Sequence, residues 1–284
     1  MKILITGVAG NIGGKVYRAF LSHQDEVELV GGDYRVPKEQ WKGITMKRLD
    51  FMDASTFDEA LDGVDSVFFM RPPAIADVPK YMAPFIDAMK EKGIEHVVFL
   101  SLQGVENNTF TPHHKIEEYI LSVGMTYTFL RPSFFMENTT STHRKEIVEK
   151  DEIIVPAGDG KCNFIAGDDI AEVARLALLD TKYRNQALEL TGKQAYSYQD
   201  ITQVLSDVLG RDIRYKKSSI LRFVRHRRSM GDTWAFIFVM IALYSITRFE
   251  KAEGYSPQLE EILGRAPKSF EEFAQEHQEV WKKP

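Results

Sequence analysis

The stretch KILITGVAGNIGGKV, Lys2 to Val16, passes from an apolar run through a glycine-rich turn into a sequence of helical period. Gly7, Gly10 and Gly13 give the spacing G-x-x-G-x-x-G. Between a strand and a helix, one such glycine permits the sharp turn, one lets backbone approach a phosphate, and one lets the helix pack close on the strand. The first amides of the helix have no intrahelical acceptor and can hold an anion. The stretch therefore reads as a cradle for the pyrophosphate of a dinucleotide, with Thr6, Asn11 and Ile12 among its expected contacts.

Outward from this turn, the first half alternates short β-rich runs, KILIT, VELVG, ITMKRL, SVFFM, HVVFL and YTFLR, with helical segments at Asn11 to Ser22, Ser55 to Leu61, Val78 to Lys92 and His113 to Val123. That rhythm predicts an α/β fold, a doubly wound parallel sheet with helices on both faces. After Arg131-Pro132 the pattern loosens into a helix near Ser141 to Glu149 and two short strands near DEIIVPAG and KCNFIA. The segment DDIAEVARLALLD follows, with acids at its start that suit a helix N-terminus. From Leu190 onward the chain reads as mostly helical. The expected domains are residues 1–132 plus about 150–190 for the sheet, and about 133–149 with 191–284 for a smaller helix-rich domain.

The chain has 284 residues, 44% of them hydrophobic, enough for a sizeable core. A formal charge of −5 gives no electrostatic footprint for nucleic acid. The basic cluster KKSSILRFVRHRRS, Lys216 to Ser229, reads as a solvated helical face. One cysteine, Cys162, forms no internal disulfide, so a cytoplasmic location is expected. No signal peptide is read at the N-terminus. The apolar run WAFIFVMIALYSIT, Trp234 to Thr247, is short of a membrane span and reads as a buried or dimer helix, or a roof over an apolar substrate. No membrane partner is expected, and monomer or homodimer stays open. Histidines 23, 96, 113, 143, 226 and 277 are scattered without metal-helix spacing, so no metal is expected.

The glycine spacing, with ITGVAGNIG, YRVPK, LDFMD, GIEHVVFLSLQGV, HHKIEEYI, LRPSFFMEN, GDDIAEVA, ELTGKQAYSYQDI and EGYSPQLEEILGRAPKSFEEFA, resembles the NmrA-like, atypical branch of the short-chain dehydrogenase/reductase superfamily. The likeness runs over nearly the whole chain. It implies an NAD(P)-binding Rossmann domain and a second domain, with the substrate cleft between them. It also implies that Arg35, followed two residues on by Pro37, reads the 2′-phosphate of NADP, and that Asp50 and Phe51 lie on the adenine side.

The residues themselves leave the cofactor divided. Asp33, 20 residues beyond Gly13, suits the ribose hydroxyls of NAD, whereas Arg35 suits a 2′-phosphate, so NADP is favoured with NAD as the alternative. Arg71, at the end of the fourth strand, reads as a phosphate contact or as surface charge. Pro132 breaks the sixth strand beside the expected nicotinamide pocket, where Phe134, Phe135 and Met136 offer apolar surface to a planar ring. Asn138 caps the following helix or faces the cleft.

Reductases of this superfamily usually carry Tyr-x-x-x-Lys on the helix after the fifth strand. The only such spacing here, Tyr34 to Lys38, falls in the cofactor loop and is coincidental. The expected helix instead carries His114 with Glu118 one turn on, and Lys115 is a weaker candidate. Ser101 holds the superfamily's substrate-polarising position. Ser101 and His114 are thus the catalytic candidates, in an oxidoreductase passing hydride to a small apolar or quinone-like acceptor that needs little general-acid help. The alternatives are a nicotinamide-redox sensor acting on a protein partner without chemistry, and a sugar-nucleotide epimerase or dehydratase.

Overall fold

Short apolar strands alternating with amphipathic helices set the chain path in the computed structural model, which describes residues 1–23, 26–36, 41–249 and 254–283. The path begins β1 (Lys2–Thr6), α1 (Asn11–His23), β2 (Glu28–Asp33), β3 (Ile44–Arg48), α2 (Phe57–Ala60), β4 (Ser66–Met70) and α3 (Ala83–Glu91). It continues β5 (His96–Leu100), α4 (Pro112–Ser122), β6 (Tyr127–Pro132), α5 (Arg144–Lys150), β7 (Glu152–Val155), β8 (Lys161–Asn163), α6 (Gly167–Leu179) and β9 (Gln186–Leu190). Then come β10 (Ala195–Ser197), α7 (Tyr198–Leu209), β11 (Arg214–Lys217), α8 (Ile220–Ser229), α9 (Trp234–Arg248), α10 (Gln258–Leu263) and α11 (Phe270–Glu276).

One unit comprises Met1–Pro132 and Gly167–Leu190. Its seven strands form a wholly parallel sheet in the order β3-β2-β1-β4-β5-β6-β9. The chain winds outward from β1 to β3, then returns to β4 on the other side of β1. That reversal opens a crevice beyond the C-terminal ends of β1 and β4, where doubly wound sheets take their ligands. α1 turns Ile12, Val16 and Phe20 inward, four residues apart, and Lys15 reaches Asp168 Oδ1 at the start of α6 over 2.7 Å. The turn before α1 is thereby held by strand and helix together.

Two local expectations change. Val78 to Lys92 is not one α-helix: residues 78–82 form a wider π-type turn before α3, with Pro79 and Pro84 unable to donate backbone hydrogen bonds. The seventh strand, β9, pairs with β6 through QALEL, a run too short and too polar to register in the alternation.

Buried His96, 1% exposed, sits 2.9 Å from the Thr128 hydroxyl, and burial with the nearby Arg184 charge holds its pKa down at about 4. The unfolded chain takes this proton near pH 6.5 and the folded chain only near 4. Stability contributed by the neutral ring is therefore complete above pH 6.5 and lost as pH falls to about 4, at most about 3 kcal/mol. Thermal melts of His96→Asn across that window should show a flatter pH slope than the parent; an unchanged slope would exclude this histidine as the source.

The second unit comprises Ser133–Ala166 and Thr191–Pro284. Residues 150–166, expected with the large sheet, belong here instead. β7 pairs in parallel with β11 and β8 antiparallel with β10, and their side chains enter a core with Tyr198, Leu205, Phe223 and Phe270. Helix α7 is set by a capping box between Ser197 and Asp200 and ends at Gly210. In the same core Glu146 stands 2.6 Å from His226 Nε2 and 3.3 Å from His143 Nδ1, while His143 Nε2 meets the Tyr244 hydroxyl at 2.9 Å. Burial opposes the Glu146 charge, but the two histidines outweigh it and hold its pKa down at about 2. The run read as a buried helix is α9, and only its Ile237, Met240, Tyr244 and Thr247 side is buried.

Candidate functional site

The glycine turn is closed to side chains. A Cβ at Gly13 would lie 2.2 Å from the Gly7 carbonyl oxygen, and at Gly7, where φ is +63°, one would lie 2.6 Å from Met70 Cε. The Gly7 amide donates to Gly32 O at 2.8 Å, and Gly10 donates to Gly7 O at 2.9 Å, so the turn is pinned to β2 and folded on itself. The bond from Gly14 N to Gly10 O, 3.0 Å, opens the helical ladder, leaving the amides of Asn11, Ile12 and Gly13 ahead of it at the positive end of α1. Thr6, fully buried, accepts from Met70 N at 2.9 Å and joins the ends of β1 and β4. It shapes the crevice floor.

At the end of β2, Asp33 Oδ2 accepts from Ala9 N and Oδ1 from Arg35 N, both at 3.3 Å. The carboxylate thus braces the glycine turn, and each oxygen keeps one lone pair for a ribose hydroxyl. Arg35 is exposed, with its guanidinium carbon 4.9 Å from the Tyr34 ring and no hydrogen bond among the described residues. Pro37 and Lys38 lie outside the described residues. Asp50 Oδ1 accepts from Met52 N at 2.9 Å, while the Phe51 ring sits in the core 5.0 Å from Phe85. Phe51 can offer a ligand only its backbone.

Arg71, at the end of β4, is not loose surface charge. Its Nη1 donates to the carbonyls of Pro72 (2.8 Å), Pro73 (3.2 Å) and Ile75 (2.6 Å), folding the proline loop around itself. Its Nε is buried with no partner among the described residues, and burial pulls its pKa down. His113, whose ring lies 6.1 Å from that of Phe99, has its pKa pushed down to about 3 by burial and then by the Arg71 charge. It is neutral at any ordinary pH.

Ser101 follows β5 and is 4% exposed. Its hydroxyl donates to Glu117 Oε1 over 2.5 Å. Glu117 in turn accepts from Arg131 on β6, from Nε at 3.2 Å and from Nη2 at 2.7 Å, and Arg131 also meets Glu106 and Glu189. The Ser101 proton is committed within this network. His114 Nδ1 donates to the Val105 carbonyl at 3.1 Å, which orients the ring. The Pro132 carbonyl accepts from Gln103 N at 3.0 Å, tying the loop after β5 to the end of β6.

Glu117 and Arg131 were missed in the sequence; the expected carboxylate, Glu118, is exposed while Glu117 is buried. The signal was there, because Thr111 caps α4 and the apolar pair Ile116 and Ile120 fixes its buried side. Glu117→Ala should destabilise the chain by about 2 kcal/mol, as it leaves the buried Ser101 hydroxyl without its acceptor and Arg131 with only the more exposed Glu106 and Glu189. Chemical denaturation checks this, and a loss under about 1 kcal/mol would mean the pair is screened as a surface pair.

The residues present fit a dinucleotide: a turn in which Gly13 has no room for a Cβ, three helix amides, the Arg35 guanidinium after β2 with no hydrogen bond among the described residues, and a buried donor at Arg71 Nε with no partner among them. Among the described residues no cluster of three potential metal ligands and no helix long and apolar enough to cross a membrane occurs.

Comparison with known proteins agrees with this geometry. The NmrA-like family model matches residues 1–273. Prestalk A differentiation protein A of Dictyostelium discoideum is 31% identical, over 97% of this chain and 92% of that protein. An NAD(P)H azoreductase of Xenophilus azovorans is 29% identical, over 97% of each chain. An NADPH-dependent quinone oxidoreductase of Escherichia coli, solved with NADPH, superposes with a TM-score of 0.87 at 20% identity, covering 97% of this chain and 99% of that one. That likeness shows a shared fold.

Proposed function

The chain belongs to the NmrA-like family, and on that premise we propose that it is an NAD(P)H-dependent oxidoreductase acting on small apolar or quinone-like acceptors. When bound, the nicotinamide supplies the hydride. Gly7, Gly10 and Gly13, with the amides of Asn11, Ile12 and Gly13, hold the pyrophosphate. Thr6 and Asp33 fix the turn, Asp50 and the Phe51 backbone border the adenine, and Arg71 and Pro132 bound the crevice toward the reacting end. The observation that carries this reading is the Gly13 to Gly7 approach, which brings the start of α1, with its three open amides, against the end of β1. The names of the azoreductase and of the quinone oxidoreductase support the acceptor class.

NADP is preferred over NAD because the planar fork of Arg35, with no hydrogen bond among the described residues, suits a phosphate, whereas Asp33 is also engaged in bracing the glycine turn. At the reacting end Ser101 and His113 hold no proton ready to give. Ser101 donates to Glu117, His113 is neutral, and His114 turns Nδ1 to the Val105 carbonyl. Ser101 and His114 therefore act by offering acceptor lone pairs and shape, and the acceptor takes its proton from water. Quinones and azo compounds meet that requirement, since their reduced forms protonate at oxygen or nitrogen in solution.

Ser101→Ala and His114→Ala should each lower kcat less than about tenfold, below the 10²-fold or more that general acid catalysis contributes. Steady-state NADPH oxidation with a panel of quinones and azo dyes measures this. A loss beyond 10²-fold in either variant, with folding intact, would assign that residue a proton-transfer role.

A further inference from the structure

Helix α9 buries one side, yet its opposite side is also apolar. Trp234 is 52% exposed, Phe238 64%, Val239 57%, Leu243 41%, Ile246 38% and Phe249 69%, and Leu221 of α8 adds a side chain 81% exposed. A surface helix ordinarily turns polar residues outward, and a contiguous apolar face of this extent marks an interaction site.

The charge around the face decides what fits it. Between Leu221 and Phe249 the chain has five arginines and one acid, Asp232, in a protein whose net charge is −5. That acid is taken by Arg227 at 2.5 Å. Arg222, Arg225 and Arg228 of α8 are exposed, Arg228 stacking 4.9 Å from the Trp234 ring, and Arg248 is exposed at the far end of α9. A second copy meeting the same face across a two-fold axis would set these arginines against their own mates, with no free acid between them among the described residues. A neutral apolar partner would leave them unused. An anionic bilayer takes both features, headgroup phosphates for the arginines and the acyl boundary for the rings. At 15 residues α9 is about 22 Å long, too short for a hydrocarbon core of about 30 Å but suited to lying in the interface plane.

We propose that α8 and α9 form a peripheral docking surface for anionic lipid bilayers, with the outward face of α9 in the headgroup region and Arg222, Arg225, Arg228 and Arg248 on lipid phosphates. This goes beyond the proposed reductase activity and does not depend on it.

The full chain is sedimented with vesicles of phosphatidylcholine alone or mixed with phosphatidylglycerol, at low and raised salt. Binding should favour the anionic vesicles at least about tenfold and weaken as salt rises. The double variant R222E/R225E should lose at least about tenfold in binding with an unchanged melting temperature. Phe238→Ser, at an exposed position and with no change of charge, should weaken binding as well. Equal affinity for both vesicles, or none for either, overturns the proposal. So does a dimer by light scattering that Phe238→Ser converts to monomer, since the face then belongs to a second copy.

Discussion

Gly13→Ala is expected to weaken NADPH binding by at least about 100-fold, a loss near 3 kcal/mol. The methyl group would sit 2.2 Å from the Gly7 carbonyl oxygen, 2.7 Å from the Gly7 carbonyl carbon and 3.0 Å from Val8 Cα. All three are backbone atoms, so no side chain can swing aside. The turn cannot retreat as a body either, because Gly7 N is bonded to Gly32 O and Gly10 N to Gly7 O. Relief must come from α1 moving away from β1, which withdraws the amides of Asn11, Ile12 and Gly13 from the phosphates. The same shift pulls Lys15 from Asp168, so some stability goes too. Calorimetric titration of protein verified as folded by circular dichroism separates the two effects. Folded Gly13→Ala protein that binds NADPH as tightly as the parent would mean that the turn is not the pyrophosphate seat.

Arg35→Ala should lower affinity for NADPH by roughly 10- to 100-fold while leaving NADH nearly unchanged, the range expected for losing one charge-assisted contact. The guanidinium has no hydrogen bond among the described residues and rests beside the Tyr34 ring, so its removal costs the fold little. Asp33→Asn is the contrasting variant. It keeps the shape but removes the charge on which Ala9 N and Arg35 N converge, and should loosen the glycine turn for both cofactors alike. Titrating both variants with the four nicotinamide forms distinguishes these roles. A preference unchanged by Arg35→Ala would place 2′-phosphate recognition elsewhere.

What could be read from the sequence was local or periodic. The glycine turn shows itself because strand, three glycines and helix are contiguous, and the first six strands because a parallel sheet covered on both faces needs continuous apolar runs. Elements fixed by distant pairing did not show. β7 and β8 read as strands, but their neighbours are β11 and β10, about 60 and about 35 residues on, and nothing local assigns residues 150–166 to that unit. β9 hid because its partner β6 lies beyond a whole intervening segment. At the reacting end the error was one of helix phase. Among HHKIEE, Glu118 is i+4 from His114 and drew attention, while the structure buries Glu117 beneath Ser101 and Arg131. A difference of one residue turns a carboxylate through about 100°. Arg71 was visible as a residue, but its three carbonyl partners depend on a loop path that no periodicity describes. The apolar run of α9 left a buried helix, a dimer helix and a substrate roof open, and the structure covers one side of it.

Whether the cradle serves a reaction is decided by mixing the NADPH-loaded protein with a series of quinones and azo dyes and following NADPH oxidation, with NADPH carrying protium or deuterium at the transferring position. Acceptor-dependent oxidation that deuterium slows severalfold is expected, with Arg35→Ala shifting the NADPH dependence of the rate. Tight NADPH binding without acceptor-dependent oxidation anywhere in the series would contradict it and make the protein a nucleotide-binding regulator.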